Sequence, residues 1–218
     1  MVKPQVIVLD VNETLFSLDA LDPVFEQLGL GGQRDLWFAR TLRSGFALTC
    51  SGEYRTFPEV ARHALRSLAP ETIGASDQDA LMTAFASLDP HPDVEPALRA
   101  LRNAEVPVAT LSVGNASNVE RLFDRAGLAD LVDTHLSCES VQRWKPAREP
   151  YLHACEVLDV HPSAAWMVAA HSWDIGGAAA VGMRTAWISR LEGEFDSSFG
   201  SPDVGCADLE EVVQHLLT

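Results

Sequence analysis

The order of segments constrains this chain more than any other feature. A short β-branched run, Val6-Ile7-Val8-Leu9, stands alone at one end. Residues 18–88 then carry only helical patterning, and from Pro90 onward helix-like and strand-like segments alternate. Strands separated by helices need crossover connections, which make the strands parallel and put helices on both faces of the sheet. The pattern predicts strands at 6–9, 106–112, 132–136, 164–170 and 184–189, with helices at 93–103, 117–127, 149–158, 174–181 and 208–217. Four further helices, about 19–29, 33–48, 57–68 and 76–87, are separated by Gly29–Gly32, Ser51-Gly52 and Pro70–Ser76. The expected fold is α/β, with a parallel-sheet core from residues 1–16 and 90–218 and an inserted helical bundle over 17–89. Residues 195–208 read as a long loop.

This layout locates a site. In open α/β sheets, ligands bind beyond the carboxyl ends of the strands. Here those ends carry Asp10, Ser112, the loop reaching Lys145, and the stretch from His171 to Asp174. A helical block inserted after the first strand would cover the same edge. Sixteen Lys and Arg against 31 Asp and Glu give a net charge of −15. So acidic a surface disfavours nucleic acid and anionic membranes as partners, because both are held by cationic contacts. An anionic small-molecule substrate would need a local positive site. No apolar run reaches the ~20 residues that span a bilayer, and Val6–Leu9 is too short for a signal-peptide core. Cys50, Cys138, Cys155 and Cys206 are far apart and form no metal-ligand pattern. Free thiols in the cytoplasm are therefore expected.

Each candidate residue has a plain structural role beside its chemical one. Asp10 can act as nucleophile or cap its own turn. Ser112 and the following N–H groups can hold an anionic oxygen, while Asn115 or Ser117 caps the next helix. Lys145, between Trp144 and Pro146, can present its charge to a carboxylate or simply sit at the surface. His171 can serve as a general base with Asp174 as its partner. Asp174 is also expected to cap a helix over 175–181.

The order of these residues carries more information than any one of them. Asp10-Val-Asn-Glu-Thr14-Leu-Phe16, Leu111-Ser112, Lys145-Pro146 with Tyr151, and Trp173-Asp174 followed by Gly-Gly-Ala and Trp187-Ile-Ser-Arg190 form four motifs in sequence. Together they resemble the haloacid dehalogenase superfamily, and within it the type II 2-haloacid dehalogenases, over essentially the whole chain. The resemblance implies a Rossmann-like core with an α-helical cap. It also implies an Asp nucleophile and, since such relatives are often dimers, a homodimer. Asn12 replaces the second Asp of the phosphatases in that superfamily, and His171 stands where they place an acid for Mg²⁺. Both changes favour a metal-independent reaction at carbon, because Mg²⁺ prefers oxygen ligands.

The chain also departs from the dehalogenases themselves. Asn12 stands for Tyr, Val113 and His171 for Asn, Ala169 for Ser, and Phe38 for the halide-binding Arg of the cap. Arg40, two residues on, can replace that Arg only if the cap helix is rotated, since two residues turn a helix by about 200°.

The expected reaction is hydrolysis of a short 2-haloalkanoic acid through an ester on Asp10. Lys145 would keep Asp10 ionised, Thr14 orient it, and Ser112 hold the substrate carboxylate. His171, oriented by Asp174, would activate water. Asn12, Arg40, Phe57, Val113, Tyr151 and Trp173 would line the substrate. No metal or cofactor is implied. Two alternatives remain at this level: a Mg²⁺-dependent hydrolase of small phosphorylated metabolites, and a non-catalytic binding protein on the same scaffold.

Overall fold

The computed structural model describes residues 4–218; residues 1–3, which open the expected core, lie outside it. Strand β1 (Val6–Leu9) is followed by helices α1 (Asp22–Gln27), α2 (Arg34–Cys50), α3 (Phe57–Arg66) and α4 (Ala75–Phe85), with no strand among them. The chain then returns through α5 (Val94–Asn103) to β2 (Val108–Ser112), α6 (Ala116–Ala126), β3 (Thr134–Ser137) and α7 (Arg148–Val157). It continues with β4 (Ala165–Ala169), α8 (Ser172–Ala180), β5 (Arg184–Ile188), β6 (Val204–Cys206) and α9 (Leu209–Leu217). All strands are parallel, in the order β3-β2-β1-β4-β5-β6. The doubly wound order puts β1 at the centre and opens a ligand crevice where the winding reverses, at the carboxyl ends of β1, β2 and β4.

Side-chain alternation explains how a four-residue strand serves both faces. Ile7 and Leu9 pack with α5, α6 and α9, whereas Val6 and Val8 pack with α7 and α8. The first of these clusters runs on without a break into the helical block through Phe25, Trp37, Phe57 and Phe85. Inside that block, Trp37 donates its indole N–H to the Ala61 carbonyl at 2.9 Å and so ties α2 to α3. The start of α3 is fixed by a capping box, in which Glu59 accepts from the N–H and hydroxyl of Thr56 at 2.8 and 2.7 Å.

Two expectations need correction. The stretch 195–208 is not all loop: β6 pairs with β5 over Ala186–Ile188. A three-residue edge strand containing Gly205 shows no hydrophobic period, and it forms because β5 offers an open edge. Asp203, whose carboxylate accepts the Thr185 N–H at 2.8 Å, helps fix the register. Nor does Asp174 cap a helix starting at 175. Helix α8 begins two residues before Asp174, with His171 as its flanking residue. The side chain of Asp174 is thereby turned inward.

Gly177 on α8 shows how closely this corner is packed. A Cβ there would lie 2.6 Å from the Tyr151 hydroxyl and 2.9 Å from the Pro146 carbonyl oxygen. Gly177→Ala is expected to destabilise the protein by about 1–3 kcal/mol through overpacking, read as a lower urea midpoint.

Candidate active site

Asp10 ends β1, its N–H bonded to the Val168 carbonyl of β4 at 3.0 Å. The chain then turns sharply: the Leu15 and Phe16 N–H groups both donate to the Val11 carbonyl, and Glu13 takes a positive φ of 63°. The turn brings Thr14 back over Asp10. Its hydroxyl donates to Asp10 Oδ2 at 2.7 Å and accepts the Ala170 N–H at 3.0 Å. The nucleophile candidate is therefore oriented by a group tied to β4.

Lys145 supplies the charge. Its Nζ donates to Asp10 Oδ1 at 2.7 Å, to Asp174 Oδ2 at 2.6 Å and to the Leu111 carbonyl at 2.9 Å, which uses all three ammonium protons. Asp174 Oδ1 accepts from the Tyr151 hydroxyl at 2.5 Å. Burial by itself would raise the Asp10 pKa, but the charge of Lys145 beside it outweighs burial and holds this carboxyl well below the usual range. Burial depresses Lys145, yet Asp10 and Asp174 outweigh it and raise its pKa. Asp174, deeper and facing the charge of Asp10, is raised by burial.

His171 is not oriented by Asp174, because Tyr151 and Lys145 occupy that carboxylate. Instead His171 Nδ1 faces Asp10 Oδ2 at 3.6 Å and is buried without a hydrogen-bond partner. The ring sits between Phe38 of α2 (centroids 6.0 Å apart) and Trp173 (5.1 Å), and Phe46 packs edge-on to Trp173. Arg40 is not brought to the site. Its guanidinium donates to the Ser67 carbonyl and hydroxyl at 2.9 and 3.0 Å, the face of α2 that sequence spacing had set against the substitution. Phe57 stacks on Phe85 and Trp144 at the cap–core junction. The Tyr151 hydroxyl is committed to Asp174. Ser112 Oγ accepts the Gly114 N–H at 2.9 Å and keeps its own proton to donate. Asn12 and Val113 are buried in the loops around the pocket.

The sequence reading passed over Glu13. Its carboxylate accepts the Leu18 N–H at 3.1 Å, is raised in pKa by burial, and lies within electrostatic reach of His171. A non-glycine residue at positive φ in the loop after a catalytic strand is a signal of this kind, though φ is visible only in the structure.

The cluster is almost sealed. Relative exposure is 4% at Asp10, 2% at Ser112, 5% at His171 and zero at Lys145 and Asp174. A cavity of about 390 Å³ between cap and core, lined by Phe57, Phe85, Asn115 and Arg121 among others, reaches Gly114 beside Ser112. The donor set does not suit a hard divalent cation. Among the described residues no three His, Cys, Asp or Glu side chains are grouped to hold a metal, and the Lys145 ammonium stands between the two acids.

Lys145→Met would leave two buried carboxylates facing each other. The expected loss is about 3–5 kcal/mol at neutral pH, the usual result of stripping one partner from a buried pair. In the wild type the depressed Asp10 pKa contributes stability above the unfolded value, lost only as pH falls through the still lower folded value. In the variant that contribution is gone and protonation relieves the repulsion. The gap between the two urea midpoints should therefore narrow as pH falls through the ordinary carboxylate range.

Comparison with known proteins agrees with this geometry. Residues 4–182 match the haloacid dehalogenase-like hydrolase family. The chain is 32% identical over 186 residues to (S)-2-haloacid dehalogenase 1 of Pseudomonas sp. (strain CBS-3), covering 84% of this chain and 82% of that one. It is 26% identical to haloacetate dehalogenase H-2 of Moraxella sp. (strain B), over 100% and 99% of the two chains. The crystal structure of the L-2-haloacid dehalogenase RSc1362 superposes with a TM-score of 0.92 at 27% identity, over 99% of this chain and 100% of that one. With an ionised Asp at the end of β1, a buried Lys beside it and a helical cap above, the chain belongs to the haloacid dehalogenase-like hydrolases.

Proposed function

We propose that this protein hydrolyses short 2-haloalkanoic acids to 2-hydroxy acids without a metal, through an ester on Asp10. The observation that carries this reading is the Asp10–Lys145 pair: a carboxylate held ionised in a nearly buried site. Asp10 Oδ2 or Oδ1 attacks C2, the C–halogen bond breaks, and halide departs with the bonding electron pair. Exclusion of water strengthens these electrostatic contacts. Water then adds to the ester carbonyl of Asp10, and the Asp10–substrate C–O bond at the carbonyl breaks to release the 2-hydroxy acid.

His171 takes the proton of that water and returns it to the departing alkoxide oxygen, supported by an unpartnered Nδ1 aimed at the Asp10 carboxylate. Ser112 donates its free proton to the substrate carboxylate. Asp174 and Tyr151 hold Lys145 in place rather than touching substrate, which revises the role expected for both. Phe38 and Trp173, flanking His171, supply aromatic edges to the departing halide where relatives place an Arg. Residues 17–89 act as the cap unit over the core. Four free thiols, one of them exposed, support a reducing compartment such as the cytoplasm, and no helix of the described residues is long and apolar enough to cross a membrane.

The test is halide release from 2-chloro-, 2-bromo- and fluoro-carboxylates in EDTA. Release should survive EDTA and disappear in Asp10→Asn; near-normal release by that variant would remove Asp10 as nucleophile. In a single turnover in H₂¹⁸O with enzyme in excess, the label should enter the Asp10 carboxylate and not the product. Label found first in the product would mean direct attack of water on C2. His171→Leu, which removes the ring nitrogens, should let the ester accumulate, visible as a mass adduct on Asp10.

A further inference from the structure

Trp144 precedes Lys145 in the chain, yet the two side chains belong to different parts of the molecule. Lys145 reaches into the core between Asp10 and Asp174. Trp144 is fully buried, and its contacts named below all lie in the cap. Its backbone N–H donates to Thr49 Oγ1 of α2 at 3.0 Å, and its indole N–H donates to the Arg55 carbonyl at 2.9 Å. The ring stacks on Phe57 of α3, centroids 5.9 Å apart and 26° between planes. It fills the space over Gly45 of α2, where a Cβ would fall 2.2 Å from a ring carbon. One residue thus joins two hydrogen bonds and two packing contacts of the cap to the backbone that carries the active-site cation.

The catalytic carboxylate is only 4% exposed beneath that cap, so separation of cap and core would widen the way in for a substrate. Separation pulls on Trp144, and the neighbouring Lys145 has no slack, because its three protons are all in use. We propose that Trp144 is a positioning residue that couples seating of the cap to placement of Lys145 on Asp10, so that the Lys145–Asp10 contact is fully made only in the closed form. This rests on the reading of Asp10 as the nucleophile.

The readout is the ionisation of Asp10 itself, followed by ¹³C NMR of protein labelled at the aspartate carboxyls and assigned with Asp10→Asn. The charged or titratable groups that act on Asp10 are Lys145, His171, Asp174, Tyr151 and Cys138, and none of them is altered. In the wild type the Asp10 signal should stay ionised down to acid unfolding. In Trp144→Leu the weakened cation contact should bring its titration up into the pH range where the variant is still folded, toward the ordinary carboxylate value. Trp144→Phe, which keeps a ring but loses the bond to Arg55, should shift it in the same direction by less. That variant keeps the test decisive if the Leu protein does not fold.

Phe25→Leu, which loosens the cap far from the Lys145 loop, should lower Tm without moving Asp10. The proposal is overturned if the folded Trp144 variants lose stability but leave Asp10 unmoved, or if Phe25→Leu shifts Asp10 equally. The titration needs no turnover. A protein that released no halide would refute the proposed reaction and still leave this coupling readable.

Discussion

A single buried ammonium organises the catalytic end of this molecule. Taking charges out of water costs several kcal/mol per ion even after relaxation. Lys145 offsets that cost only because carboxylates stand on two sides of it and a carbonyl on the third. Those partners come from β1, β2 and α8, so the arrangement exists only when the central strands are in register. Tyr151 adds a fourth element by filling the remaining oxygen of Asp174. The site is thereby both the most expensive part of the fold and the part most dependent on all the others.

The same arrangement defines what chemistry is reachable. Asp10 is kept as an anion by nearby positive charge rather than by exposure to water, which suits attack on carbon. The roof is aromatic: Phe38 and Trp173 flank His171, Phe46 packs edge-on to Trp173, and Arg40 is engaged with Ser67 on another face of its helix.

Cap and core share one hydrophobic cluster rather than meeting as two finished surfaces. Trp37, Phe57, Phe85 and Trp144 form its central span, linked in a chain by edge-on and stacked rings. Such an interface favours the closed state, because opening exposes large apolar areas. Entry of substrate must therefore be driven against burial, and the aromatic span is the natural place for closure to be felt at Lys145.

The sequence alone determined the architecture and most of the cast. Strand–helix alternation specified a parallel sheet, the helical block after β1 specified a cap, and the strand ends pointed to Asp10, Ser112, Lys145 and His171. These follow from local periodicity and chain direction, which a single sequence displays. What only the tertiary structure decided was pairing. Asp174 belongs to Lys145 and Tyr151 rather than to His171, since α8 starts two residues earlier than its cap signals suggest and turns that carboxylate inward. Arg40 faces Ser67, β6 exists because β5 has an open edge, and Glu13 comes near His171 through a turn at positive φ. Each of these depends on the relative rotation or register of elements distant in sequence. Hydrophobic patterning leaves those angles open until the side chains pack.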